Sequence, residues 1–311
     1  MIHYELIIPS ASRPHLLDEV LRTLFIHLDQ LPARVILHDD ARFPGKQAEV
    51  ADILRERVPK RIPTIFLADD PPISHGPAVQ RMLGLVSTEY VLYSQDDHNV
   101  VRDLSVGPAL RLLDRHRLNQ IRFNKRDTMD KKGREGAEFF KVEKLFNGAF
   151  DHFDGRRVPI EPETIIALSN DGQPAKRVRT PSVDLCDLET TLCVADHWYF
   201  QTGVWRVAAI KPVLDWWVSR PDIGAFSEHM EVKVNQTFNG EWAKHHGALG
   251  PEVPILKPED GAWNDPEVRA RVHKTFIWGR IGEPKFVEHS GVDPKDWALI
   301  RGNRDQPGPA A

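Results

Sequence analysis

Over the first 125 residues, short apolar runs alternate with segments whose apolar residues recur every three or four positions. The short runs are Tyr4–Ile8, Arg34–Leu37, Thr64–Leu67, Tyr90–Tyr93 and Gln120–Phe123. Each has the length of a strand. Between them, Leu16, Leu17, Val20, Leu21, Leu24, Phe25 and Leu28 fall on one side of a helix, and Pro14 suits its first turn. Val50, Ile53, Leu54 and Val58 repeat the pattern, as do Val79, Met82, Leu83 and Val86. Strand, helix, strand with short connections predicts βαβ units and an α/β fold with a mostly parallel sheet flanked by helices.

The alternation stops near residue 125. Asn147-Gly148, Asp154-Gly155 and Asp171-Gly172 are hairpin-turn signals beside short apolar runs such as ETIIAL. They predict a β-rich insertion at about 126–182. Apolar content returns in CVADHWYFQTGVWRVAAIKPVLDWWV, and FSEHMEVKVNQTF then reads as a helix. The expected organisation is one half at 1–125, a second half at 126–290 that contains the insertion, and a frayed tail at 291–311.

Three successive strands end in paired aspartates: Asp39 and Asp40, Asp69 and Asp70, Asp96 and Asp97. One pair is ordinary turn chemistry. Three pairs on one edge of a parallel sheet make an acidic rim, where ligands of open α/β sheets bind. The third pair continues into His98, in the stretch EYVLYSQDDHNVV. Hard divalent cations take carboxylate oxygens and bridge them to phosphates, so Mg²⁺ is a candidate; the histidine favours a softer ion such as Mn²⁺.

Composition changes this picture little. The 311 residues carry a formal net charge of −4 and are 28% charged, as ordinary globular chains are. There is no apolar run of about 18 residues, so no membrane span is expected. Only Cys186 and Cys193 are present, so no disulfide framework is expected and a reducing, cytoplasmic setting is. Their spacing with His197 fits no common zinc pattern. Arg122, Lys125, Arg126, Lys131, Lys132 and Arg134 form a basic stretch, read as a solvated or an anion-contacting loop. PSASRP after the first strand lacks the glycines of a dinucleotide fingerprint, and no G-x-x-x-x-G-K-[ST] occurs.

The order of these pieces resembles nucleotide-sugar glycosyltransferases of the GT-A fold. LIIPSASRPHLLDEVLRTL is similar to their first strand, turn and helix. VILHDD matches a second strand ending on an aspartate. AVQRMLGLVSTEY is similar to their Arg-containing third helix, and VLYSQDDH sits where their D-x-D metal motif lies, as a D-x-H variant. The resemblance covers about residues 4–125. It implies that 1–125 is the nucleotide-sugar-binding half. On the donor side it implies Pro9, Ser10, Arg13, Asp39, Asp40, Arg81 and Asp96. For Mn²⁺ or Mg²⁺ it implies Asp96, Asp97 and His98, with His289 from the late segment PKFVEHSG as a further ligand. In the acceptor half it implies Glu228 or Glu231 as catalytic base. Both lie three apart on a predicted helix and so share a face.

The activity so implied is metal-dependent transfer of a sugar, with inversion as in those members that use such a base, from a nucleoside diphosphate sugar to a hydroxyl of a glycan, a protein, a small molecule or a hydroxymethylated DNA base. The DNA option rests on the basic loop together with GRR at 155–157 and AKRVR at 175–179. Two other classes stay open: a nucleotidyltransferase on a similar sheet, and a non-catalytic sugar- or nucleotide-binding module.

Overall fold

A computed structural model of the chain describes residues 2–41, 43, 45–115, 118–123, 150–153, 156–159, 161–168, 174–185, 190–195, 198, 200–219, 275–278 and 285–290. Four parallel strands come first: β1 (Tyr4–Ser10), β2 (Val35–Asp39), β3 (Thr64–Ala68) and β4 (Tyr90–Tyr93). Helices α1 (Pro14–His27), α2 (Gln47–Arg57) and α3 (His75–Leu85) connect them. Then follow β5 (His98–Val100), α4 (Val106–Arg115) and β6 (Gln120–Arg122). All five expected strands are present, and the fold is α/β with a mostly parallel sheet between helices, as the periodicity predicts.

The chain continues through β7 (Phe150–Phe153), β8 (Arg156–Pro159), β9 (Glu161–Leu168), β10 (Pro174–Leu185) and β11 (Thr190–Ala195). Phe153 pairs with Arg156 across the Asp154-Gly155 signal, and β9 pairs antiparallel with β10 across Asp171-Gly172. Next come β12 (Gly203–Arg206), α5 (Val207–Val218), β13 (Thr275–Trp278) and β14 (Val287–His289). The main sheet has the order β3-β2-β1-β4-β12-β6-β13-β11-β10-β9.

Two features of this order position the site. First, the chain moves from β1 outward to β3 and then returns to put β4 on the other side of β1. The order reverses between β1 and β4, and a crevice opens outside their carboxyl ends. Second, β14 pairs antiparallel with β5, with His289 opposite His98. A residue 191 positions later thus reaches the end of the fourth strand.

The core explains the apolar runs. Every residue of β1 is buried, because both faces of a central strand are covered. Leu6 and Ile8 pack with Leu17, Leu21, Leu54, Leu110 and Leu113 on the face of α1, α2 and α4. Ile7 turns to the other face, with Met82, Leu83, Ile210 and Leu214 of α3 and α5. Trp205 stacks on Tyr93 at 4.2 Å between centroids, and the edges of Trp198 and Phe200 meet Trp205. Trp198 is therefore core. Trp216 and Trp217 fall within α5. No described helix is long and apolar enough to cross a membrane.

Gly203 begins β12, the one strand wedged antiparallel between β4 and β6. A methyl group there would lie 2.6 Å from the Ile121 carbonyl oxygen and 2.7 Å from Arg122 Cα. Neither backbone atom can move without parting the sheet. Gly203→Ala is expected to cost about 1–3 kcal/mol, read as a lower midpoint in urea unfolding with an unchanged slope.

Candidate metal and nucleotide site

Four carboxylates are buried at the carboxyl edge of the sheet: Asp39, Asp40, Asp96 and Asp97, all at most 5% exposed. Burying a carboxylate is costly unless donors or cations meet it. Their partners show how the edge is built.

Asp39 accepts hydrogen bonds from the Ser12 backbone N–H at 2.7 Å and from Ser12 Oγ at 2.9 Å. Burial pushes its pKa up, against the pull of these donors. Asp40 accepts from the backbone N–H groups of Ile73 and Ser74 at 2.7 and 2.9 Å. Ser12 and Ser74 both have left-handed backbone, with φ of 57° and 76°. Non-glycine residues seldom adopt it unless local hydrogen bonds hold them. The Asp39-Asp40 pair therefore fixes the two loops that flank the crevice. Asp39, expected on the donor side, is fully buried and engaged with Ser12.

Asp69, of the second pair, binds His38 Nε2 at 2.7 Å and Arg81 Nη1 at 2.6 Å. Chiefly the Arg81 bond, against some burial, holds its carboxyl below the usual range. Arg81, expected to meet the donor, thus pairs with Asp69 at a half-exposed position.

At the reversal point, Asp96 is enclosed. Its Oδ2 accepts from Ala11 N–H at 2.9 Å, Ser10 Oγ at 3.2 Å and Arg13 Nε at 3.3 Å. Its Oδ1 accepts from Arg13 Nη2. The same Nη2 lies 3.1 Å from Asp97 Oδ2. Burial alone would lower the Arg13 pKa; the charges of Asp96 and Asp97 outweigh it and hold the guanidinium above its ordinary value.

Asp97 differs from its neighbour. Its Oδ1 is buried and accepts no hydrogen bond. His289 Nε2 lies 3.4 Å from its Oδ2, and His98 Nε2 lies 3.9 Å from its Oδ1. Asp97, His98 and His289 each bring one ligand atom within 4.8 Å of the others. His98 Nδ1 is 3.1 Å from Thr202 Oγ1, itself beside Ser94 Oγ. A ring whose Nδ1–H is donated to a hydroxyl keeps its Nε2 lone pair outward, as metal-bound imidazoles do. Burial first, then the nearby His289, pushes the His98 pKa down to about 3, so the ring is neutral and able to ligate. One orphaned carboxylate oxygen and two imidazoles fit a first-row divalent cation.

A cleft beside this cluster is lined by Pro9, Ser10, Ala11, Arg13, Asp40, His75, Ala78, Gln95 and Asp96. Expected residues Pro9, Ser10, Arg13, Asp40 and Asp96 thus line one cleft. His75 and Gln95 have no counterpart in the sequence reading. His75 Nε2 lies 2.7 Å from Tyr93 Oη, which also accepts from Gln95 Nε2 at 3.0 Å. The core tyrosine anchors both, and a hydroxyl at the end of an apolar strand gives no local sign of that. Glu228 and Glu231 lie outside the described residues, as do the 124–134 stretch and Cys186 and His197.

Several solved structures are similar to this chain at low identity. They include TarS of S. aureus in its 1–349 form with UDP (13% identity, 96% of this chain and 64% of that one, TM-score 0.44). A second is the mannosyltransferase PcManGT from Pyrobaculum calidifontis with GDP-Man and Mn²⁺ (11%, 99% and 66%, TM-score 0.47). A third is the 4-diphosphocytidyl-2C-methyl-D-erythritol synthase from Anaerococcus prevotii (10%, 97% of each chain, TM-score 0.42). The chain spans 38% of TarS in a longer form and just under two thirds of its 1–349 form. No family model and no curated protein matches the sequence. At such identities and TM-scores, substrate and chemistry rest on the site's own residues.

The neutral, buried His98 has a consequence for stability. Its folded pKa, about 3, lies below the ordinary 6.5, so only the unfolded chain takes up its proton between those values. The contribution is present above about pH 6.5 and is lost as pH falls toward 3. In chelator-treated protein, His98→Gln should flatten the acid limb of stability near pH 5 by about 1.4 kcal/mol per pH unit relative to the unsubstituted chain, measured by urea unfolding across pH.

Proposed function

We propose that this chain is a metal-dependent glycosyltransferase that takes its sugar from a nucleoside diphosphate sugar. The observation that carries this reading is Asp97 at the mouth of the β1–β4 crevice: its buried Oδ1 accepts no hydrogen bond, and its carboxylate lies beside the imidazoles of His98 and His289. A buried carboxylate oxygen with no hydrogen-bond partner is expensive unless a cation meets it. A crevice at the reversal point of an α/β sheet is where nucleotides bind.

Asp97, His98 and His289 would hold the cation; the two imidazoles favour Mn²⁺ over Mg²⁺. When bound, such an ion offsets the charge of a diphosphate leaving group. The chain's own residues do the rest. The loop Ser10–Arg13 presents its backbone and the Arg13 guanidinium to the phosphates. Asp40, His75 and Gln95 line the side of the cleft where the nucleoside would lie. In the transfer, the acceptor oxygen bonds to the anomeric carbon and the bond from that carbon to the phosphate oxygen breaks. The electron pair leaves with the diphosphate, and the acceptor proton passes to a carboxylate. Glu228 is proposed for that proton, with Glu231 as the other candidate. The acceptor is a hydroxyl compound. Direct displacement of this kind inverts the anomeric centre.

The reading is tested with Mn²⁺ and a panel of UDP-, GDP-, dTDP- and CDP-sugars, without acceptor. One donor should raise the melting temperature only with metal; at a hundred times its Kd the gain is about 2.7 kcal/mol. The same donor should release free sugar and nucleoside diphosphate slowly. Asp97→Asn should abolish both effects. Release of pyrophosphate from a nucleoside triphosphate and a sugar phosphate would instead identify a nucleotidyltransferase. Donor binding with no turnover of any kind would leave a binding module.

A further inference from the structure

The guanidinium of Arg13 stands in the cation cluster. It pairs with Asp96 through Nε and Nη2 and reaches Asp97 Oδ2 at 3.1 Å. His289 Nε2 lies 3.4 Å from that same oxygen. Arg13 is 10% exposed at its side chain, and Asp96 and Asp97 are 3% and 6% exposed at theirs. The positive charge is therefore held in a poorly hydrated place beside a carboxylate whose other oxygen is buried and accepts no hydrogen bond.

This geometry divides the two aspartates. Among the described residues, every hydrogen bond of the Asp96 carboxylate is to a donor of the first loop: Ser10, Ala11 or Arg13. Asp97 alone is shared between Arg13 and the imidazole pair. We propose that Arg13 is a built-in counter-cation that competes with the divalent ion for Asp97, so that Arg13 sets the metal affinity and Asp96 serves as its anchor instead of as a ligand. The inference rests on the reading of Asp97, His98 and His289 as the cation cluster.

Like charges beside one carboxylate weaken each other's binding. Groups just outside a metal's ligand shell commonly change affinity by about 10–100-fold; here the change on removal is a gain, because the group removed is itself a cation. Arg13 also offsets the buried charge of Asp97, so part of the stability lost with it should be restored by metal. A purely structural arginine would show neither effect.

The test is a titration of the full chain with Mn²⁺ alone, free Mn²⁺ being followed by electron paramagnetic resonance. Arg13→Met should bind Mn²⁺ at least about tenfold more tightly than the unsubstituted chain. Arg13→Lys, which keeps the charge, should stay near the unsubstituted value. Melting of Arg13→Met should rise with Mn²⁺ by more than that of the unsubstituted chain. If Arg13→Met is unfolded without metal, recovery of its circular dichroism on adding Mn²⁺ supports the inference, and no recovery overturns it. Equal or weaker binding in Arg13→Met, no binding by either protein, or tightening by Arg13→Lys as well, would each overturn it. None of these readings uses a nucleotide sugar. A chain that turns over no donor yet binds Mn²⁺ more tightly as Arg13→Met would refute the proposed function and leave this inference standing.

Discussion

Burying a carboxylate is unfavourable by several kcal/mol unless its charge is met, and among the described residues four are buried along one sheet edge. Much of the local structure follows from how each is met. Asp39 and Asp40 take backbone N–H groups and so hold Ser12 and Ser74 in left-handed conformations. Asp96 takes the first loop and Arg13. Asp97 keeps one oxygen unpaired. Loop shape, cleft wall and cation cluster are consequences of one electrostatic requirement.

The scaffold makes that requirement affordable. β1 is buried on both faces and rigidly packed, so Ser10 and Ala11 meet Asp96 with little freedom. β12 locks β4 to β6 through a close approach that only glycine permits at residue 203. Thr202, the residue before it, reaches His98 and fixes the ring. The β5–β14 pairing then brings His289 alongside. Core, sheet order and site chemistry are thus coupled through a few backbone positions.

The strands and helices of the first 125 residues were legible because both periodicities are strong there and the connections are short. The acidic rim was legible too, since three aspartate pairs follow three strands of one parallel sheet. What each pair does was not. Asp39 and Asp96 look alike in sequence, yet one is closed off by Ser12 and the other by Arg13; the difference arises from loop geometry. Arg13 was anticipated on the donor side, but its pairing with Asp96 depends on an approach between residues 83 apart. His75 and Gln95 gave no signal because their common anchor, Tyr93, reads as plain core. The antiparallel entry of β12 between β4 and β6 was likewise hidden: four residues, GVWR, carry no mark of direction.

The central claim is that Asp97, His98 and His289 hold the divalent ion that a nucleoside diphosphate meets. The most direct measurement is anomalous X-ray scattering from crystals of the chain grown with Mn²⁺ and a nucleoside diphosphate. The account predicts one strong manganese peak within bonding distance of all three side chains and of the diphosphate, with Asp96 still bound to the first loop. A peak at Asp96 without Asp97, a peak elsewhere on the chain, or a nucleotide seated in the crevice with no metal would contradict it.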